Sequence, residues 1–207
     1  ERATVANDLR TGARIHLLIG ELYHLLHEYP RAVRHLTESG IMADMGGDKS
    51  AADQAMARLA VAYAHDSNLP RARSLAQAVI DRGMHDYTPV GTAWSVLGLV
   101  AIREGEWERA IECYERALVM HRRLDNHRLA AQALRNVALA YRFSGKYQEA
   151  SEYSLQAIAA FAAMHNAVDE AEARMNLGID YWYLGQPEQA LACYAAVEPV
   201  FVTTGWP

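Results

Sequence analysis

Trp94-Ser95-Val96-Leu97-Gly98 lies forty residues before Leu134-Arg135-Asn136-Val137-Ala138, and that segment lies forty before Arg174-Met175-Asn176-Leu177-Gly178. The same offset aligns Ala101 with Tyr141 and Tyr181, Ala110 with Ala150 and Ala190, and Ala117 with Ala157 and Val197, without a gap. A fixed period of this size is the signature of a repeat architecture. Extending backwards with a two-residue adjustment gives a fourth unit holding Leu59, Ala60, Tyr63, Ala72 and Val79, and a fifth holding Ile19, Gly20, Tyr23 and Ala32. The units run approximately over 9–47, 48–87, 88–126, 127–166 and 167–207.

Each unit carries two apolar sets at helical spacing, such as Trp94, Leu97, Gly98 and Ala101 followed by Ala110, Tyr114 and Ala117. That pattern predicts two helices per unit. Between them lie Arg103-Glu104-Gly105-Glu106-Trp107, Phe143-Ser144-Gly145-Lys146-Tyr147 and Tyr183-Leu184-Gly185-Gln186-Pro187, where glycine suits a helix end that needs a left-handed residue. Asp66-Ser67-Asn68-Leu69-Pro70 and His27-Glu28-Tyr29-Pro30 are expected to use Asn and Pro to the same end. Gly20, Ala60, Gly98, Ala138 and Gly178 share one place in the first helix, and Ala32, Ala72, Ala110, Ala150 and Ala190 share one in the second. Small residues there let two helices approach closely. Tyr29, Leu69, Trp107 and Tyr147 share the turn position and read as hairpin-locking core.

These residues resemble the tetratricopeptide repeat, whose signature runs Trp-x2-Leu-Gly-x2-Tyr, then Ala, an aromatic, Ala and often Pro. Trp94, Leu97, Gly98, Ala110, Tyr114 and Ala117 match it, with departures at Ala101 and Arg122; Leu177, Gly178, Tyr181, Ala190 and Tyr194 match it again, with Arg174 in place of Trp. The resemblance covers nearly the whole chain and implies an all-α, right-handed solenoid of five helical hairpins. It also implies a non-catalytic protein- or peptide-binding scaffold. The long period is similar to that of arrays in multidomain bacterial regulators, which makes a sensor domain that binds a small molecule or signal peptide and gates an attached effector the alternative.

Composition agrees with a folded scaffold. The 207 residues are 51% hydrophobic and 22% charged, with 13 Gly and 6 Pro, which excludes disordered and fibrous classes. A formal charge of −5 gives no basic footprint, so no nucleic-acid partner is expected. No apolar run reaches the roughly 18 residues of a membrane span, and no signal region opens the chain; the expected location is cytoplasmic. The absent initiator Met and the ending Thr203-Thr204-Gly205-Trp206-Pro207 suggest an array excised from a longer protein. Residues 1–8 then read as the tail of a preceding helix, and Phe201 and Trp206 as lacking a following unit. Homodimerisation through such exposed terminal units is a further expectation.

On a helical wheel, the face of each first helix opposite its core lines the concave groove of the family. It holds Arg14, Leu17, Leu18, Glu21, His24 and Leu25; then Gln54, Ala57, Arg58, Val61, Ala64 and His65; then Thr92, Ser95, Val96, Leu99, Ile102 and Arg103. Gln132, Arg135, Asn136, Leu139, Arg142 and Phe143 follow, then Glu172, Met175, Asn176, Ile179, Trp182 and Tyr183. Five arginines against two glutamates predict a basic groove for an acidic or extended partner segment. Asn136 and Asn176 would grip its backbone, since an amide donates and accepts at once. Arg58, Arg135 and Arg142 would take its carboxylates, and His65, Arg103, Gln132 and Trp182 complete the candidate site. Trp182 and Tyr183 point away from the core, fit to stack on a ligand or to cover a further unit.

Chemistry has fewer candidates. Glu21, His24, His27 and Glu28 lie a helical turn apart but lack the His-Glu-x2-His arrangement of a zinc hydrolase, so no metal is expected. His121, His127 and His165 read as solvated junction residues. Cys113 and Cys193 recur at one position two units apart, too distant to bridge, and read as packing residues. No phosphate loop, dinucleotide fingerprint or serine elbow occurs, and neither a cofactor nor catalysis is expected.

Overall fold

The computed structural model describes residues 2–82 and 88–204. Among these residues ten helices follow in series: α1 (Arg2–Leu25), α2 (Tyr29–Met45), α3 (Lys49–His65), α4 (Leu69–Asp81), α5 (Thr88–Glu104), α6 (Trp107–Arg123), α7 (His127–Phe143), α8 (Tyr147–Ala163), α9 (Ala167–Tyr183) and α10 (Pro187–Thr204). They pair as five hairpins, the all-α arrangement that the periodicity predicts. No helix among the described residues is long and apolar enough to cross a membrane. Trp206 and the Phe201 side chain lie outside the described residues.

The turns explain the spacing. After α5, the Gly105 amide donates to the Ile102 carbonyl and the Glu106 amide to the Ala101 carbonyl; after α6, Asp125 and Asn126 donate to Arg122 and His121. Paired bonds of this kind satisfy helix-end carbonyls that would otherwise be orphaned, and they require one left-handed residue. Among the described residues, turns within hairpins and junctions between them therefore share one design. Helices α6 to α10 start at 107, 127, 147, 167 and 187, because seventeen helical residues and a three-residue turn repeat without interruption.

Gly105, Gly145 and Gly185 take the positive φ that their positions predict, and so does Gly47 between α2 and α3. In the remaining turns the expectation needs correcting. The left-handed residues are Ser67 (φ 62°) and His27 (φ 59°), not Asn or Pro. Asn68 instead caps α4, its side chain accepting from the Arg71 amide, while Pro30 and Pro70 sit in the first turns of α2 and α4, where a missing N–H costs nothing. Asp48, Asn126 and Asn166 cap α3, α7 and α9 in the same way. Residues 2–8 differ too: α1 runs unbroken from Arg2 to Leu25, with no left-handed residue to stop it, so they form its first turns rather than the end of another helix.

The helices group into two compact units, 1–100 and 101–207, divided within α5. In the first, Ala32 and Leu36 of α2 bury against Ala62 of α3 with Leu17 and Tyr23 of α1 alongside. A Cβ on Gly20 would come within 2.7 Å of Leu36 Cγ, the physical reason for glycine at that crossing. Ser39 Oγ, buried, donates to the Ala13 carbonyl at 2.8 Å, and buried Asp53 pairs with Arg82. In the second unit, Phe161 (fully buried) centres a core with Leu134, Ile158 and Leu177, and Ala101, Tyr114 and Val137 centre another. The Glu115 carboxylate accepts from the hydroxyls of Tyr141 and Tyr153, joining α6, α7 and α8.

Aromatic residues at the turn position act differently from expectation. Trp107 stacks on Phe143 and Tyr147 on Tyr183, at ring separations of 5.3 and 4.6 Å; Tyr29 likewise stacks on His65 at 5.7 Å. Each ring at the start of a second helix thus clasps the last residue of the next hairpin's first helix. It locks neighbours rather than its own hairpin. His121 is also not solvated but buried, whereas His127 and His165 are exposed, His165 as a left-handed turn residue.

Candidate functional site

The predicted groove residues lie on the first helices, whose remaining faces are committed to packing. In the first unit, Arg58 of α3 is half-buried and forms a 2.8 Å ion pair with Glu21 of α1. His65, exposed at the end of α3, lies between Tyr29 and His24, edge-on to the latter at 5.0 Å. His24 Nε2 is buried without a hydrogen-bond partner. Burial, followed by the nearby His65, Arg58 and His27, lowers the His24 pKa to about 4, so its ring is neutral at physiological pH.

In the second unit the arginines are engaged. Arg135 of α7 lies 2.5 Å from Glu172 and 3.2 Å from Asp169 of α9, with its guanidinium over the Phe161 ring. Arg142 donates through Nε to Asp180 at 2.5 Å and through its terminal nitrogens to the Asn176 side chain and carbonyl, each at 3.0 Å. Ser154 of α8 completes the set by donating to the other Asp180 oxygen. Asp180 is fully buried; desolvation raises its pKa, against the opposing pull of Arg142 and Ser154.

The basic groove is therefore corrected. Arg58, Arg135 and Arg142 are neutralised by carboxylates on the neighbouring first helix, and two of these, Asp169 and Asp180, fall outside the face counted from the wheel. Asn176 is held by Arg142 and is not a free partner for Asn136. Tyr183 is held in its stack on Tyr147. The legible signal for the missed network was Asp180 itself, which occupies the register that Ala140 fills in α7, a fully buried place.

The side chains of Gln132, Asn136 and Arg103 make no hydrogen bond to other described residues, and Trp182 is 64% exposed. Around them on α7 and α9 lie Leu139, Met175 and Ile179, all at least partly exposed. This arrangement offers amide groups that match a peptide backbone, one free guanidinium and apolar surface. It offers little for covalent chemistry: both thiols are buried and free, and burial pushes each pKa up. Among the described residues no three His, Cys, Asp or Glu side chains are placed to hold a metal ion.

Residues 89–163 match the model of the tetratricopeptide repeat family. No curated protein matches the sequence. Among solved structures, a Rap protein complexed with the Competence and Sporulation Factor is similar, with a TM-score of 0.80 and 17% identity over 92% of this chain and 54% of its own. BtubC from P. vanneervenii follows at 0.77 and 16%, covering 100% and 92%. A thermophilic protein of the same repeat class from Thermus thermophilus scores 0.64 at 20%, covering 89% of each chain. At such identities the likeness establishes the fold alone. Residues 89–163 thus carry the tetratricopeptide repeat, and the helices on either side share its hairpin fold.

Proposed function

We propose that this protein is a non-catalytic scaffold that binds an extended peptide segment of a partner protein along the exposed face of α7 and α9. The observation that carries the reading is the contrast on that face. Arg135, Arg142 and Asn176 are consumed by internal bonds, while Gln132 and Asn136 stay unpaired beside exposed apolar side chains. Unpaired amides can exchange water for a peptide's own N–H and C=O groups, and Leu139, Met175, Ile179 and Trp182 can receive its apolar side chains. Arg103 remains for a carboxylate. The partner is thus extended and largely apolar rather than strongly acidic. A place within a larger bacterial regulator, where peptide capture biases an attached effector, fits the Rap likeness and belongs to the same proposal.

Selection of a displayed random-peptide library on the whole chain tests the reading. Enriched peptides should lose at least about tenfold in affinity on Asn136→Ala with Gln132→Ala, about 1.4 kcal/mol or more, with helicity unchanged. Failure to enrich any peptide, or equal binding by the variant, would reject this face as the site.

A further inference from the structure

Histidines of the first unit meet in two pairs, and each pair joins α1 to a neighbouring helix. His16 of α1 and His35 of α2 stand Nδ1 to Nδ1 at 3.2 Å, with Tyr23 of α1 stacked on the His35 ring and Arg31 of α2 over Tyr23. His24, in the last turn of α1, lies edge-on to His65 of α3 at 5.0 Å, with Tyr29 of α2 against both rings. Elsewhere the repeat makes another choice. At the registers of His16 and His35, α3 and α4 carry Met56 and Leu75, and α7 and α8 carry Leu134 and Tyr153. Packing alone therefore does not require two imidazoles between α1 and α2.

Protonation is at odds with both contacts. In the first, one Nδ1 donates and the other accepts, so the contact tolerates one added proton; two imidazolium rings would set donor against donor and charge against charge. In the second, a charged His24 must carry a proton on Nε2, an atom that is buried without an acceptor among the described residues, whereas a neutral ring can leave it bare. The groups around these rings do little to offset that cost. His65 and Arg58 face His24 from α3 and His27 from the turn, while Glu21 of α1 is held by Arg58, and Glu28 by Arg31. His35 faces His16 across the hairpin, with Arg34 and one opposing carboxylate, Glu38, on its own helix. Burial first, and then these cations, lower the pKa of both His24 and His35.

α1 packs on α2 and α3. When it lifts away, the rings regain water and take protons freely, so acid favours the released helix. The same movement breaks the bond from Ser39 to the Ala13 carbonyl and uncovers Leu36 beneath Gly20. We propose that α1 is an acid-released helix, docked on α2 and α3 while its two histidine pairs are neutral and freed, with Leu36 uncovered, when they are protonated. The window follows from His24, whose pKa falls from 6.5 to about 4 on docking: attachment is at full strength above about 6.5 and weakens as pH drops towards 4. Between pH 7 and pH 5 this ring alone raises the opening equilibrium of α1 about twentyfold.

Hydrogen exchange of the whole chain at pH 7 and pH 5, each rate divided by its intrinsic rate at that pH, tests this. Protection of residues 13–24 should fall about twentyfold or more at pH 5, while that of α7 and α8 changes far less. His24→Gln should shrink the α1 fall by about tenfold or more. His16→Leu with His35→Leu, which gives this register the apolar character it has between α3 and α4, should shrink it further. With all three changes, and helicity at pH 7 unchanged, α1 should be protected alike at both pH values. Equal α1 protection at pH 7 and pH 5 in the parent, a fall of the same size in α7 and α8, or a His24→Gln variant that loses α1 protection as the parent does would each overturn the proposal.

Discussion

Asp180 shows what a register conveys about a residue and what it leaves out. Its period position predicts a small apolar side chain, so a carboxylate there announces a buried partner; the spacing alone does not say that the partners are Arg142 and Ser154, because these come from two other helices. The direction in which the side chains of α7 and α9 point was legible for the same reason, since the wheel fixes it, but the charge state of that face depends on rotamers across neighbouring hairpins. Removing one member of a buried pair leaves the other desolvated. Asp180→Ala should cost about 3–5 kcal/mol in urea unfolding, and the double change Arg142→Met with Asp180→Ala distinctly less. Ser154→Ala, which removes one hydrogen bond, should cost about 1 kcal/mol. His24 gives a pH signature. Its folded pKa is lowered from 6.5 to about 4, so the unfolded chain takes up its proton first as pH falls. This group's contribution is therefore fully present above about 6.5, declines from there to about 4, and is constant below. Comparing unfolding free energies of parent and His24→Gln across that interval should show the parent with the steeper fall, and parallel curves would contradict the burial of Nε2.

At the scale of the element, the five hairpins follow from the sequence because helix periodicity and turn glycines agree with each other. Two turns escaped because the left-handed conformation rests on a residue that does not advertise it. Ser67 pays about 1 kcal/mol for a positive φ that glycine adopts freely, and Asn68 next to it drew attention that belonged to its capping role. Ser67→Gly should therefore raise the melting temperature, while Gly145→Ala, at φ 77° with open space around it, should lower stability by about 1 kcal/mol. The two changes have opposite signs for one physical reason, and a common sign in thermal unfolding would refute the shared turn design. The inter-hairpin ring stacks were also out of reach, since Trp107 and Phe143 sit thirty-six residues apart with no local pattern to couple them. Phe143 is half exposed, so Phe143→Ala should cost only about 0.5–1.5 kcal/mol.

For the whole molecule, repetition makes each helix depend on its neighbours rather than on one central core. That dependence predicts an ordering of local stability within residues 101–207. α8 packs against both α7 and α9, with Ala150, Ala157 and Phe161 fully buried. α10 packs against α9, yet Leu191 is 67% and Val202 76% exposed, and Tyr194 is 36% exposed where Ser154 holds the same register in α8 at 2%. Pro199 inside α10 also removes one backbone donor from the helical ladder. Opening α10 therefore exposes less new apolar surface and breaks fewer backbone bonds than opening α8. Native-state hydrogen exchange should find α10 amides exchanging through a local opening whose free energy lies well below that of α7 and α8. Addition of a denaturant should leave the α10 rates almost unchanged at low concentration, as small openings do, while those of α8 follow the global slope. If α10 and α8 exchange with one common free energy, the hairpins of this unit unfold as a single cooperative body and the nearest-neighbour account of their stability fails.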